Sequence, residues 1–268
     1  MQIRFDGRTA IVTGAAHGLG RAIALNFAKL GARVVACDVL KNGLDETANL
    51  GEKQQAPLET RVLDVSDRSA VQAAISQVLK DRGCVDILVN DAGGVMGQVG
   101  RPLEDVSEAD WRAIFRVNLD GAFYCCQAVA PSMKAARYGR IVNISSGAGL
   151  GISLTGIQAY ASAKAGQIGL TRQLAHELGP WGITVNSVAP GFIRSNPTTE
   201  KQWNRMAQRD SGGWSRVSRS NASVRRTISR MVCCFWPASM RVGSPGKRSQ
   251  STAAVDAVRG KRHSRDWI

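Results

Sequence analysis

Short apolar runs alternate with longer segments of helical periodicity along the first 190 residues. The apolar runs are rich in Val and Ile, and most of them end at Gly, Asp or Asn, which is typical of buried strands. They read TAIVTG, RVVACD, RVLDV, DILVN, RIVNIS and ITVNSVAP and begin at residues 9, 33, 61, 86, 140 and 183. We predict a β-strand at each of these runs.

Helical patterns fill the segments between the predicted strands. Apolar residues recur at steps of three and four from Leu19 to Leu30, and Gly31 follows as a stop signal. Further helices are predicted after an N-cap at Ser66, over residues 107–130 and over residues 158–178. Strands that alternate with helices predict an α/β fold with a doubly wound parallel sheet of the Rossmann type.

The chain changes character after Thr199. Residues 201–268 hold 15 Lys and Arg against three acids, so this tail carries +12 of the net charge of +14. The tail has no sustained period of 2 or 3.6, and its composition predicts a disordered basic segment. Its charge would permit binding to nucleic acid or an anionic membrane. We disfavour both partners, because the tail lacks interleaved aromatic residues and an amphipathic period.

Composition narrows the class of protein further. No stretch reaches the 18 or more apolar residues of a membrane span, and the start, MQIRFDGRTAIVTG, lacks the features of a signal peptide. We therefore expect a cytoplasmic protein. The six cysteines form no CxxC pair and have no zinc-site spacing with histidine, so we expect buried reduced thiols and no metal site.

The glycine-rich stretch TGAAHGLG, residues 13–20, follows a predicted strand and opens a predicted helix. In this context Gly14 permits a tight turn, Gly18 lets the backbone approach a pyrophosphate, and Gly20 lets the helix pack close to the sheet. The helix N-terminus then offers free N–H groups to phosphate. We favour this interpretation over a glycine-rich turn without a ligand.

Asp38 ends the second predicted strand, at the distance from the glycines where an acid binds the adenosine ribose hydroxyls. Its charge would repel a 2′-phosphate, so the sequence predicts NAD in preference to NADP. His17 inside the glycine stretch would soften this preference if it were protonated, although a surface histidine without such a role is at least as good an interpretation.

The stretch YASAK places Tyr160 and Lys164 on one face of a predicted helix. A tyrosine serves as a base near neutral pH only if its pKa falls by three units, which takes about 4 kcal/mol. A nearby ammonium and a positive nicotinamide ring are suited to supply that stabilisation. Taken alone, the two residues could also be a chance pair on a solvated face.

Together these motifs resemble the short-chain dehydrogenase/reductase family over about residues 5–200. The stretches that carry the resemblance are TGAAHGLG at 13–20, NDAG at 90–93, VNLDGAF with Asn118, NISSGAG with Ser146, YASAK with Tyr160 and Lys164, and PG at 190–191. The resemblance implies an NAD-binding and catalytic domain over 1–200, followed by an aberrant tail over 201–268. It also implies a homo-oligomer, either a dimer or a tetramer.

The resemblance further implies a role for each site residue. Tyr160 would be the general acid/base, Lys164 would lower its pKa and hold the nicotinamide ribose, Ser146 would bind the substrate oxygen, and Asn118 would support a proton-relay water. The implied cofactor-binding residues are Gly14, His17, Gly18, Leu19, Gly20, Asp38, Asp64, Val65, Asn90, Ala92, Gly93, Tyr160, Lys164, Pro190, Gly191, Ile193 and Ser195.

Three departures from the family pattern affect these assignments. Asp91 stands where the family usually has a second asparagine, from which we expect a mild effect. Ser146 lies one residue further from Tyr160 than is common, so Ser145 remains an alternative for its role. Ser195 stands where a threonine often meets the nicotinamide carboxamide, and its hydroxyl can make the same bond.

The segment from Met231 to Met240, MVCCFWPASM, differs from the rest of the tail. If the third base of each codon is joined to the next two bases, Met231 with Val232 must encode glycine, and the cysteine pair must encode leucine. The shifted frame permits GLLFLASEYAGWITGQAISVDGG, which resembles the end of the family's chains. We infer a reading-frame shift between about Trp203 and Asn221, which sequencing the gene would test.

The sequence thus predicts an NAD-dependent oxidoreductase of secondary alcohols or ketones. Lid helices and the last strand are expected to be missing, which would impair the chain as written. A 3-oxoacyl thioester reductase using NADPH remains an alternative, as do a sugar or polyol dehydrogenase and a ring-diol dehydrogenase. A nucleotide-binding protein without catalysis is the alternative from another class.

Overall fold

Seven parallel strands form a single sheet in the order β3-β2-β1-β4-β5-β6-β7. The computed structural model describes residues 4–153, 155–191, 193 and 255–257. The strands are β1 (Thr9–Thr13), β2 (Arg33–Asp38), β3 (Glu59–Val62), β4 (Ile87–Asn90), β5 (Gly139–Ile144), β6 (Ile183–Ala189) and β7 (Val255–Ala257). The winding reverses between β1 and β4, and ligands bind at such a switch point beside the carboxyl ends of the strands.

Helices cover both faces of the sheet. They are α1 (Gly18–Lys29), α2 (Lys41–Lys53), α3 (Arg68–Arg82), α4 (Glu108–Phe115), α5 (Gly121–Ala136) and α6 (Gln158–Leu178). In β4, Ile87 and Val89 pack toward α1 and α2, whereas Leu88 packs toward α3 and α5. Because β4 is buried on both faces, its sequence is a continuous apolar run without alternation.

Five of the six predicted strands lie where the sequence placed them, and the third is displaced. The ladder of β3 covers Glu59–Val62. Leu63 and Val65, predicted within this strand, are buried beyond it as the chain turns toward α3. Helix α2 was not predicted, because its buried residues are Leu44, Thr47 and Gly51, of which only Leu44 is a large apolar residue.

Two helix boundaries differ from the prediction. The N-cap of α3 is Asp67 and not Ser66, since the Asp67 carboxylate accepts hydrogen bonds from the N–H groups of Ser69 and Ala70. The helix predicted over 107–130 is interrupted by a π-helical turn at Arg116–Asp120 before α5 continues to Ala136. π-turns inside helices often mark functional sites, and this one holds Asn118.

The structure adds a short seventh strand that the sequence analysis did not predict. Residues Val255–Ala257 of the tail form β7, with Ser187 opposite Val255 and Ala189 opposite Ala257. The outer edge of β6 offers backbone N–H and C=O groups that a short extended segment can pair, whatever its side chains are. The lid region, MVCCFWPASM and the rest of the tail lie outside the described residues.

The described cysteines are free thiols. Cys37, Cys125 and Cys126 are buried as expected, whereas Cys84 is half-buried. Burial raises the pKa of Cys37 and of Cys126 to about 12, so both are neutral at physiological pH. Within the described ranges no group of side chains could hold a metal ion, and no helix is long and apolar enough to cross a membrane.

Candidate functional site

The turn between β1 and α1 packs so closely against neighbouring backbone that Gly14 and Gly20 have no room for a side chain. Gly14 and Gly18 have φ of +72° and +60°, in the left-handed region that favours glycine. A Cβ on Gly14 would stand 2.8 Å from the Ala92 nitrogen, and a Cβ on Gly20 would overlap the Gly14 carbonyl oxygen. The first turn of α1 therefore presents bare backbone, which fits a dinucleotide pyrophosphate.

Helix α2 braces this turn through contacts that the sequence did not predict. The Thr47 hydroxyl donates to the Ala15 carbonyl at 2.8 Å and accepts from the Arg21 guanidinium at 3.0 Å. Arg21 also donates to the Ala16 carbonyl and pairs with Glu46. No sequence signal identified these residues, because their partners come together only when α2 packs against α1.

Asp38 lies at the end of β2 with both carboxylate oxygens engaged. One oxygen accepts from the Ala16 N–H and the other from the Leu40 N–H, each at 3.0 Å. These bonds hold the carboxylate beside the glycine turn. His17, at the N-cap of α1, is exposed and makes no side-chain cap. Asp64 is exposed and accepts from the Ser66 N–H at 2.8 Å, while Val65 beside it is buried.

The segment after β4 is fixed to β1 by one hydroxyl. The Thr13 oxygen accepts the backbone N–H groups of Asp91 and Ala92, both at 3.1 Å. Asn90 turns into the core, where its amide donates to the Asn143 side chain at 2.8 Å. The Asn90 side chain therefore ties β4 to β5. Gly93 follows with a φ of +157°.

Ser146, Tyr160 and Lys164 meet at the carboxyl end of β5. The Ser146 hydroxyl lies beside Tyr160 and acts to lower the pKa of its phenol, and the Lys164 ammonium lies 5.7 Å from the centre of the Tyr160 ring. Lys164 is only 3% exposed and donates to the Ile144 carbonyl at 2.7 Å. Ser145 faces away and donates to the Lys164 carbonyl at 2.8 Å. Of the two serines, Ser146 is the one whose hydroxyl contacts Tyr160.

Burial dominates the electrostatics of this cluster. It raises the pKa of Tyr160, and Ser146 opposes the shift while Asp91 adds to it. It also lowers the pKa of Lys164, against the charge of Asp91. The expected lowering of the Tyr160 pKa is thus not found in the protein alone, because desolvation disfavours the phenolate.

Asn118, which is fully buried, uses its side chain to clamp the loop after β4. Its amide oxygen accepts from the Gly94 N–H at 3.0 Å, and its nitrogen donates to the Gly94 and Ile114 carbonyls at 2.9 Å. The Asn118 backbone carbonyl receives a long bond of 3.3 Å from the Gln167 amide. Any proton relay at Asn118 would therefore involve its backbone oxygen and not its side chain.

A chain of buried polar groups behind the site was missed from the sequence. The Asn143 amide donates to the Thr171 hydroxyl at 2.9 Å, and that hydroxyl donates to the Gln167 carbonyl at 2.8 Å. The Gln167 side-chain oxygen is buried without a partner among the described residues. A signal existed, because polar residues 164, 167 and 171 follow the i, i+3, i+7 spacing of one helix face.

The segment after β6 closes the site from the other side. The Gly147 N–H donates to the Pro190 carbonyl at 2.8 Å, which ties it to the Ser146 loop. Pro190 is buried, Gly191 is exposed and Ile193 is half-buried. Ser195 lies outside the described residues. The structure thus brings together the glycine turn, Asp38, the NDAG segment and the Ser146, Tyr160 and Lys164 cluster along one edge of the sheet.

Comparisons with known proteins agree with this geometry. Residues 8–206 match the family described as short chain dehydrogenase. The 3-oxoacyl-[acyl-carrier-protein] reductase FabG of Thermotoga maritima is 41% identical over 74% of this chain and 79% of its own. D-threitol dehydrogenase of Mycolicibacterium smegmatis is 41% identical over 71% of this chain and 72% of its own. The structure of an NAD⁺-bound xylitol dehydrogenase superposes with a TM-score of 0.78 at 27% identity, covering 88% of this chain and 94% of that one.

Proposed function

Because this chain belongs to the short-chain dehydrogenase family, we propose that it is an NAD-dependent oxidoreductase of secondary alcohols and their ketones. The observation that carries the proposal is the cluster in which Ser146 contacts Tyr160 and the Lys164 ammonium lies against the Tyr160 ring. This cluster joins a proton-transfer group, an oxygen-binding group and a cation within one pocket. The bound nicotinamide would supply the hydride chemistry.

The roles of these residues follow from their positions. In alcohol oxidation the Tyr160 oxygen takes the hydroxyl proton of the substrate, and Ser146 holds the substrate oxygen in place. In ketone reduction Tyr160 returns that proton. Lys164 opposes the desolvation of the Tyr160 phenolate with a positive charge fixed by the Ile144 carbonyl. Asn118 holds the loop after β4 against this cluster.

The cofactor would lie across the glycine turn. Gly14 and Gly20 let the start of α1 pack close to β1 and the segment after β4, the N–H groups there would bind the pyrophosphate, and the Asp38 carboxylate would accept the ribose hydroxyls. A 2′-phosphate would meet the fixed negative charge of Asp38, which supports NAD over NADP. The xylitol dehydrogenase in the comparison was solved with NAD⁺ bound, which agrees with this choice.

A second candidate is a 3-oxoacyl thioester reductase using NADPH. It is favoured by the 41% identity to a 3-oxoacyl-[acyl-carrier-protein] reductase, although D-threitol dehydrogenase is equally similar. Exposed His17 in the glycine turn could pair with an additional phosphate when protonated. The position of Asp38 argues against this candidate.

The test is turnover with a panel of secondary alcohols, polyols, ketones and 3-oxoacyl thioesters, followed by NADH or NADPH absorbance. We expect activity with NAD(H), measured both for the chain as written and for a chain with the family's reading frame restored. Tyr160→Phe should lower kcat at least about 100-fold, because it removes the acid/base group. Titration of the same variant with NADH shows whether the loss lies in turnover or in cofactor binding.

Different results would separate the alternatives. NADH binding without turnover of any substrate by either chain would indicate a nucleotide-binding protein without catalysis. Turnover of 3-oxoacyl thioesters with NADPH alone would favour the second candidate. Full activity of Tyr160→Phe would contradict the proposed role of Tyr160.

A further inference from the structure

A carboxyl group lies directly behind the glycine turn. Asp91 follows β4, and its backbone N–H is held by the Thr13 hydroxyl at 3.1 Å. Its Oδ2 atom lies 2.8 Å from the place where a Cβ of Gly20 would stand, so the carboxyl adjoins the Gly20 backbone at the start of α1. Asp91 therefore lies beside the free N–H groups of this helix N-terminus.

Several ionisable groups lie near the Asp91 carboxyl. Burial raises the pKa of Asp91, Lys164 and the Gly20 N–H oppose the shift, and Asp38 adds to it. The residue as a whole is half-buried, and its remaining contact with water limits the shift. The other ionisable groups near the turn are Lys164 and Tyr160 of α6, Asp38 of β2, and His17 and Arg21 of α1.

Two anions would compete for the same helix N-terminus when a dinucleotide binds. The partial positive charge there stabilises a single anion well. A pyrophosphate in front of the turn and an ionised Asp91 behind it would repel each other through a poorly solvated layer, where charges interact more strongly than in water. A protonated Asp91 would remove the repulsion and leave its carbonyl oxygen free to accept the Gly20 N–H.

We propose that Asp91 is a proton-linked positioning residue: the pyrophosphate binds the start of α1 tightly when the Asp91 carboxyl is protonated and weakly when it is ionised. The inference rests on the dinucleotide site of the proposed function. Binding then draws a proton from solvent onto Asp91. That proton also removes an anion that raises the pKa of Tyr160, so binding of the cofactor favours the phenolate.

Isothermal titration of NADH into the full chain tests this coupling. The titrations run from acid to alkaline pH, in pairs of buffers that differ in ionisation enthalpy, so that proton uptake is counted directly. We expect uptake of up to one proton near neutral pH and weaker binding as pH rises. Each unit by which binding raises the pKa of Asp91 corresponds to about a tenfold loss of affinity on the alkaline side.

Asp91→Asn is the decisive variant, because it keeps the size of the side chain and an oxygen that can accept the Gly20 N–H. We expect this variant to bind NADH with no proton uptake and with an affinity independent of pH. Asp45→Asn is the matched control, since it makes the same change at an exposed carboxylate of α2 that pairs with Lys41, and it should leave the uptake unchanged. Asp91→Ser replaces Asp91→Asn if the latter does not fold.

The outcomes are distinct. Uptake that persists in Asp91→Asn, or that disappears equally in Asp45→Asn, would overturn the role of Asp91. NADH binding by the unchanged chain with no pH dependence would also overturn it, while leaving the dinucleotide site of the proposed function intact. A failure to bind NADH at any pH would instead reject the proposed function and the inference together.

Discussion

Asp38 and Asp91 show how position gives two like residues different tasks. Both carboxyls lie beside the glycine turn, but Asp38 is held by the N–H groups of Ala16 and Leu40 at the end of β2. Asp91 lies behind the turn, against Gly20 and near Lys164. In our proposals the first selects the cofactor by its ribose, and the second responds to its phosphates.

Replacing Asp38 should change the choice of cofactor. In Asp38→Ala the charge that would repel a 2′-phosphate is removed, so we expect NADPH affinity to rise and NADH affinity to fall. A change of about 1.4 kcal/mol in either affinity would be tenfold. Fluorescence titration with both cofactors measures the ratio. Asp45→Ala, which removes an exposed carboxylate of α2 paired with Lys41, is the control and should leave the ratio unchanged.

At the scale of elements, α1 depends on its close approach to β1 and to the segment after β4. Gly20 sits where the helix meets the Gly14 carbonyl and the Asp91 carboxyl, with no space for a side chain. Gly169 is also a helical glycine, but it is exposed on α6, and a Cβ there would meet nothing within 4 Å. Substitutions at Gly20 and Gly169 therefore distinguish the effect of packing from that of helix propensity.

Alanine at these two glycines should have opposite effects. Gly20→Ala must displace backbone, so we expect a loss of about 1–3 kcal/mol in the free energy of unfolding. We also expect much weaker NADH binding. Gly169→Ala should gain about 0.5–1 kcal/mol, because it only removes the conformational entropy of a helical glycine. Urea unfolding with NADH titration measures both, and equal effects of the two substitutions would contradict this account of the turn.

The elements also show what a single sequence does not reveal. The range predicted for α6, 158–178, matches the structure, because Gly156 precedes the helix and Gly179 and Pro180 follow it as stop signals. The π-turn at Arg116–Asp120 left no mark in the apolar pattern; it lies where α4, which packs on α6, passes into α5, which packs on β4 and β5. Local periodicity predicts that a helix forms, whereas an interruption inside it, such as the π-turn, depends on packing.

At the scale of the whole molecule, β7 joins the tail to the sheet. Three tail residues, Val255–Ala257, pair with the end of β6, although the tail around them was predicted to be disordered. An open sheet edge can pair with an extended segment within reach, because backbone groups make the pairing and the side chains matter little. Three residues beyond the boundary predicted at residue 200 thus pair with the sheet, and the boundary itself stays a prediction.

Removing β7 should weaken the sheet measurably. A chain that ends at residue 254 loses the pairing of Ser187–Ala189, whereas a chain that ends at residue 258 retains it. We expect the shorter chain to lose about 1–3 kcal/mol of stability and to unfold several degrees lower, as a few backbone hydrogen bonds would predict. Thermal unfolding of the two chains decides this. Equal unfolding temperatures would mean that β7 adds no stability.

The sequence by itself determined the order of the elements, the doubly wound sheet and the identity of the residues at its carboxyl edge. It could do so because strand and helix periods are local, and because residue type alone gives the backbone freedom of glycine and the functional groups of Asp38, Tyr160 and Lys164. Only the tertiary structure decided that Ser146 and not Ser145 contacts Tyr160. It also decided that the Asn118 side chain forms hydrogen bonds with the loop after β4 and that Asp91 lies against the start of α1. These contacts form only when packing brings the groups within hydrogen-bond distance and removes them from water. Packing is a property of the whole folded molecule.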